Sequence, residues 1–210
     1  MDSVLRTLIS QLKKVRSAVE AIFFSYPRRI QCNICNWEGR HFLSDAWHLH
    51  VICPRCHSQV RQRLFFAALQ NTGKLSFASL IDNRKILHFA AEDPVRLNIC
   101  KRASEYVSAD YLREGFDLKL DISNMPEVND ATFDVVIAFD VLEHVENYQK
   151  ALHEIHRVLS VDGFAILTVP QQDNLLVTYE DSSIVTPEDR TKHFGQWDHL
   201  RIFGDDFSEI

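Results

Sequence analysis

The chain has 210 residues, 46% of them hydrophobic and 25% charged, with a net charge of −6. That composition suits one sizeable core with a small appendage. No apolar run nears the roughly 18 residues that a membrane-spanning helix requires, so no such span is expected. The N-terminus lacks the apolar block and small-residue cleavage site of a secretory signal. The five cysteines are an odd number and four of them fall in close pairs, which excludes a disulfide framework and points to a reducing, cytoplasmic setting with a metal site.

Charge is divided unevenly. Residues 1–63 hold ten Lys/Arg against four Asp/Glu, and the remainder holds 13 against 25. A basic N-terminal part on an acidic body either meets an anionic partner or complements that body.

In chain order, Val4, Leu5, Leu8, Ile9, Leu12, Val15, Val19, Ile22 and Phe23 recur at helical spacing before Pro27, which predicts an amphipathic helix within residues 1–29. Residues 30–58 are short, irregular and cysteine-bearing. Cys32 and Cys35 in "CNIC" are separated by 17 intervening residues from Cys53 and Cys56 in "CPRC". Each pair turns two thiolates toward one ion, and the two pairs complete a tetrahedral four-cysteine site suited to Zn2+. Four thiolates leave no open position, so the zinc is expected to be structural, as in a zinc ribbon, and to supply much of the module's folding energy. His48, His50 and His57 lie nearby and read as surface or packing residues. Residues 58–73 predict a helix capped by Ser58 and stopped at Gly73, with Val60, Leu64, Phe65, Ala68 and Leu69 as its apolar stripe; it connects the module to the rest through residues 59–84.

From Lys85 the pattern alternates. Apolar strands are expected at Ile86–Ala90, Tyr106–Ala109, Leu118–Leu120, Phe133–Phe139 and Phe164–Val169, and helices at 94–103 and 148–159. Strand–helix alternation with continuous apolar strands predicts an α/β fold with a parallel sheet covered on both faces. Cys100 reads as a buried small hydrophobe. The last forty residues are polar with weak periodicity.

The segment 133–170, "FDVVIAFDVLEHVENYQKALHEIHRVLSVDGFAILTVP", resembles the class I S-adenosylmethionine-dependent methyltransferases, with their "FDxVxxxxVLEHV" and "RVLxxxG" signatures. The resemblance runs from about Lys85 to Pro170 and continues to "FGQWDHLRIFG" at 194–204. With the cysteine pairs, the chain is similar to a zinc-ribbon subgroup whose first strand reads "LHFAPE", here "LHFAAE" (Leu87–Glu92). The resemblance implies a Rossmann-like methyltransferase domain over residues 85–210. Phe89, Ala90, Ala91 and Glu92 occupy the place of the glycine-rich turn beside the methionine part of the cofactor. Asp110 corresponds to the acid that binds the ribose hydroxyls. Asp121 and Ile122 correspond to the positions that meet the adenine, and Phe139 and Asp140 end the fourth strand at the ligand crevice. Glycines close backbone N–H groups on phosphates. S-adenosylmethionine has no phosphate, so alanines still permit close approach and Glu92 is expected to pair with its ammonium. Asp93 and Pro94 are expected to open the next helix.

Methyl transfer to a heteroatom needs alignment, water exclusion and, for a protonated acceptor, a base. His144 in "LEHV" and His199 in "WDHLRIF" are the candidate catalytic residues. Arg201, Tyr179 and Glu180 are further candidates for the acceptor side. No second metal cluster is evident. The family sheet has seven strands, whereas five are visible here, so the last two are expected to be missing and the fifth to form an edge. The leading expectation is a methyltransferase of a small-molecule or glycan-type acceptor. An RNA methyltransferase using the basic N-terminal module and a non-catalytic binding protein are the alternatives.

Overall fold

The computed structural model describes residues 30–45, 48–70 and 75–209. The helix expected within residues 1–29 and the stop at Gly73 lie outside the described residues. The chain forms two compact units. One comprises the described residues up to Leu80 together with Asp93–Asn98, and the other comprises Ile81–Glu92 and the residues from Ile99 onward.

In the first unit, β1 (Ile30–Gln31) and β2 (Glu38–Gly39) pair antiparallel around the first cysteine pair. A second hairpin is marked by the antiparallel bridge Leu43↔Ile52 and carries the second pair. Its core is tiny: Cys32, Trp37 and Cys53 are buried, with Ile30, Ile34 and Phe42 packed against them. Helix α1 (Val60–Leu69) follows. Gln59, not Ser58, stands at its cap, and its backbone N–H donates to the Gln62 side chain at 2.6 Å. The buried face is Gln62, Phe66 and Leu69, whereas Val60 and Leu64, from the expected stripe, are exposed. The sequence VRQRLFFAAL offers apolar side chains on several faces, so packing partners choose among them. Phe77, on the short helix α2 (Phe77–Leu80), meets Phe66 edge to face at 5.6 Å.

The second unit is built on a five-stranded sheet ordered β5-β4-β3-β6-β7. The strands are β3 (Lys85–Phe89), β4 (Glu105–Asp110), β5 (Leu118–Lys119), β6 (Phe133–Phe139) and β7 (Leu159–Thr168). All neighbours pair in parallel. The central strands are buried almost end to end, as a parallel sheet requires. The order reverses between β3 and β6, and the crevice at the strands' carboxyl ends there is where open α/β sheets take ligands.

Strand β7 begins five residues before the expected Phe164. Phe133 pairs with Leu159, and the register then shifts before Val135 pairs with Phe164, so the residues around Gly163 bulge from the ladder. A Cβ on Gly163 would sit 2.9 Å from the Ser160 carbonyl oxygen, which accounts for glycine at that close approach. β7 is the outer strand of the sheet, as expected.

Helix α3 (Asp93–Ile99) is shorter than the expected 94–103, and Cys100 falls beyond its end, half-buried rather than buried. Helix α4 (Tyr148–Val158) is capped by the Asn147 side chain, which accepts the Lys150 N–H at 2.8 Å. It buries Tyr148, Ala151, Ile155 and Val158, with Leu152 and Leu159 packed at the margin of the core. Ile155 and Val158 each contribute about 1.5–3 kcal/mol by their burial. The polar C-terminal stretch has more order than its weak periodicity suggests. β8 (Tyr179–Glu180) pairs antiparallel with β9 (Arg201–Ile202), and α5 (Pro187–Phe194) lies between them. Thr186 caps α5, and Gly195 ends it at φ +85°, a left-handed turn that favours glycine. No helix among the described residues is long and apolar enough to cross a membrane.

Candidate functional site

The four cysteine sulfurs lie within 4.8 Å of one another. Cys32 and Cys56 are separated by 3.7 Å, and Cys35 and Cys53 by 3.6 Å. Tetrahedral Zn–S bonds of ~2.3 Å place sulfurs ~3.8 Å apart, so the spacing fits the ion. The two knuckles have one construction. Cys32 N–H donates to Trp37 O and Asn36 N–H returns to Cys32 O; Cys53 N–H donates to Ser58 O and His57 N–H returns to Cys53 O. Asn36 and His57 take φ +57° and +58°, the left-handed step that closes each turn. His57 therefore serves the backbone, and His48 and His50 are exposed, as expected of surface residues. Ser58, completely buried, has its hydroxyl 3.2 Å from the Cys56 sulfur and 3.6 Å from that of Cys32. Thiol hydrogen bonds from Cys53 and Cys56 hold the Cys32 thiol far below its ordinary value, while burial pushes Cys35 up to about 11. Such a cluster resists four negative charges unless a cation joins it. Arg63 braces the unit by donating to Ser58 O at 2.5 Å and Val51 O at 2.8 Å, with its guanidinium 4.0 Å above the Phe42 ring.

The second group lies at the carboxyl ends of the parallel strands. Phe89 is buried at the end of β3. Ala90 takes φ +49° and donates its N–H to Ala109 O at 2.9 Å, which turns the chain out of the sheet. Glu92 is half-buried three residues beyond β3, and Asp93 opens α3. Asp110 ends β4 and is buried. Its Oδ1 accepts the N–H groups of Leu112 and Arg113 at 2.9 and 2.7 Å, and its Oδ2 takes the Arg113 guanidinium at 2.7 Å. Burial raises its carboxyl, but these donors outweigh burial and hold it below the usual carboxylate range. Asp121 accepts the Ser123 N–H and hydroxyl at 2.8 and 2.7 Å, both on Oδ1. Its neighbour Ile122 is buried. Phe139 is buried at the end of β6, and Asp140 follows at φ +53°, where its Oδ1 accepts the Thr168 hydroxyl at 2.8 Å. Every predicted cofactor residue thus stands at or just past the carboxyl end of a sheet strand, as the alternating pattern requires.

The third group follows β6. The turn Leu142–His144 presents Glu143, fully buried, and His144, exposed. His199 is buried, and its ring centroid lies 4.8 Å from that of His144. The Nε2 atom of each imidazole lies 4.0 Å from Glu143 Oε1. His199 Nδ1 lies 3.0 Å from Phe194 O, and His144 Nδ1 lies 3.4 Å from Asp198 Oδ2. Burial holds His199 below its ordinary value. The two predicted catalytic histidines are therefore neighbours, although 55 positions separate them in sequence. Glu143 and Asp198, which sequence reasoning passed over, complete the group; the only signal was a carboxylate next to His144 in "LEHV" and another next to His199 in "WDH". Arg201 is buried and donates to Leu142 O, Val145 O and Glu146 O at 2.9, 2.6 and 3.0 Å, while its Nε meets Glu180 at 2.9 Å. Tyr179 points its hydroxyl at His193 Nδ1, 3.2 Å away.

Residues 83–167 match the family model described as a methyltransferase domain. The matched residues run from β3 into β7 of the parallel sheet. A protein of Methanocaldococcus jannaschii, MJ0638, is 51% identical over 47 residues, which cover 22% of this chain and 20% of that protein. The 1,6-didemethyltoxoflavin-N1-methyltransferase of Burkholderia thailandensis, solved with 1,6-didemethyltoxoflavin and S-adenosylhomocysteine, is 16% identical with a TM-score of 0.49, covering 71% of this chain and 64% of that one. BH2331 of Bacillus halodurans is 18% identical with a TM-score of 0.47, covering 63% of this chain and 59% of that one. The chain thus spans about a fifth of its curated relative.

Proposed function

We propose that the chain is a methyltransferase that binds S-adenosylmethionine at the carboxyl edge of its sheet, acts on a small-molecule or glycan-type acceptor in the cytoplasm, and carries a structural zinc on Cys32, Cys35, Cys53 and Cys56. The observation that carries this reading is the placement of Glu92, Asp110, Asp121 and Asp140 at successive strand ends around the order reversal of a sheet whose sequence matches the methyltransferase domain.

The bound cofactor supplies a methyl group on a positively charged sulfur. Ala90 and the buried Ala91 leave room for close approach at the first turn, and Glu92 is the counter-charge for an ammonium. Asp110 is the acceptor for the ribose hydroxyls. Its Arg113 contact comes from a side chain that is 57% exposed, so the guanidinium can swing away without unburying a core group. Asp121 spends only Oδ1 on its own turn, which leaves Oδ2 for an adenine amino group, and Ile122 gives the base an apolar face. His144 and His199 stand at the acceptor end. His199 has its Nδ1 engaged by Phe194 O, which leaves Nε2 for chemistry at this end. RNA is the second reading for the acceptor; among the described residues of the basic module, Arg55, Arg61 and Arg63 donate to Cys35 O, Gln59 and Ser58 O.

Calorimetric titration with S-adenosylmethionine, with zinc measured on the same sample, tests the reading. One equivalent of cofactor and one of zinc are expected. Glu92→Ala should weaken cofactor binding about tenfold, the equivalent of about 1.4 kcal/mol. Zinc-replete, folded protein that gives no heat with the cofactor would sink the activity and leave a methyltransferase-like binding protein.

A further inference from the structure

We infer that Glu143, His144 and His199 form a binding site for a divalent transition-metal cation, separate from the four-cysteine cluster. One ligand atom from each of the three residues lies within 4.8 Å of the others. The orientation of the two rings carries the argument. His199 Nδ1 is within hydrogen-bond distance of Phe194 O, an oxygen that can only accept, so the ring proton sits on Nδ1. His144 Nδ1 lies 3.4 Å from the Asp198 carboxylate, an ion-pair distance. Metal-bound histidines are held like this, with one nitrogen donating to a carbonyl or carboxylate so that the other offers its lone pair. Both Nε2 atoms lie 4.0 Å from Oε1 of the Glu143 carboxylate, and that of His199 is left with the lone pair. Two imidazole nitrogens and a carboxylate oxygen that converge in this way form a donor set for a cation.

The distances and the backbone suit a site that closes on its ion. Bonds of about 2.0–2.2 Å place neighbouring ligand atoms roughly 3.0–3.5 Å apart, so the 4.0 Å separations shorten by about half an ångström to one. His144, the exposed member, supplies that movement. Glu143 is fixed: its carbonyl accepts the Leu200 N–H at 2.9 Å, and Arg201 holds the carbonyls on either side of it in the chain. Two imidazoles with one carboxylate favour a transition metal over Mg2+ or Ca2+, which prefer oxygen ligands throughout. Three protein ligands leave an open position, unlike the closed cysteine cluster. That position is where an acceptor oxygen would bind; this last step rests on the proposed activity, whereas the cation site does not.

Zinc is the probe, because it stands high in the affinity order for nitrogen and oxygen ligands. Tag-free protein carrying one zinc on its cysteines is titrated calorimetrically with further Zn2+ in a non-chelating buffer, without cofactor. A second equivalent is expected. Glu143→Gln and His144→Ala should each weaken it at least tenfold, while His153→Ala, on the exposed face of α4, leaves it unchanged. His144 is exposed, so its variant folds even if the buried Glu143 variant does not, and far-UV circular dichroism verifies this. Absence of a second equivalent, or its full retention in folded His144→Ala, overturns the site whatever the cofactor titration shows.

Discussion

At the scale of single residues, the sequence was legible where chemistry depends on near neighbours. Two C-x-x-C pairs announce their site because each knuckle is a local turn, and the left-handed Asn36 and His57 complete it. Glu143 was not legible, because its partner His199 lies 56 positions away and only the fold joins them. Asp110 was placed correctly at a strand end, but its engagement by Arg113 was invisible, since a salt bridge three residues apart depends on the shape of the turn. Ala90 gives a test at this scale. Its φ of +49° costs an L-residue about 1–2 kcal/mol, while glycine loses roughly 0.5–1 kcal/mol in chain entropy. Ala90→Gly is therefore expected to raise the melting temperature slightly. A clear fall would show that the methyl group packs more tightly than the turn's strain can offset.

At the scale of elements, strands were easier to read than helix faces. The continuous apolar runs of β3 and β6 fix their burial on both sides, whereas α1 offered several apolar stripes and packing selected Gln62, Phe66 and Leu69. The bulge in β7 hid its first residues, because a shifted register breaks the alternation that marks a strand. Two arginines tie elements together and make predictions of their own. Arg157 on α4 donates to Met125 O and Val128 O at 2.8 Å and pairs with Glu154 and Asp130. The Arg157 hydrogen bond is the main cause that holds the Glu154 carboxyl down to about 2, from an ordinary value of 4.5. A depressed carboxyl contributes stability that is fully present above pH 4.5 and is lost as pH falls toward 2. Glu154→Gln should therefore flatten the pH dependence of unfolding in that window, and denaturant melts across it provide the check. Arg201→Met strands three carbonyls and the Glu180 carboxylate; a loss of about 3 kcal/mol is expected in the same measurement.

At the scale of the whole molecule, the alternation of strands and helices was enough to give the parallel sheet, because only crossover connections join parallel neighbours. The two compact units were less legible: Asp93–Asn98 falls with the first although it lies between strands of the second, a grouping set by contacts in space. Since the hydrophobic cluster of the cysteine module buries just Cys32, Trp37 and Cys53 among the described residues, zinc removal should act mainly there. Chelation is expected to abolish amide-exchange protection across residues 30–58 while β3 and β6 keep theirs; equal loss in both would show that one folding unit spans the chain. The polar C-terminal stretch holds the last consequence. Gln171 and Phe203 are bridged in parallel, and the Gln171 side chain donates to Gly204 O at 2.9 Å, so the excursion between them is cinched at its neck. A protease given the exposed peptide around Asp173 or Ser182 should cut without releasing anything: two bands under denaturing electrophoresis, one undivided particle in native gel filtration.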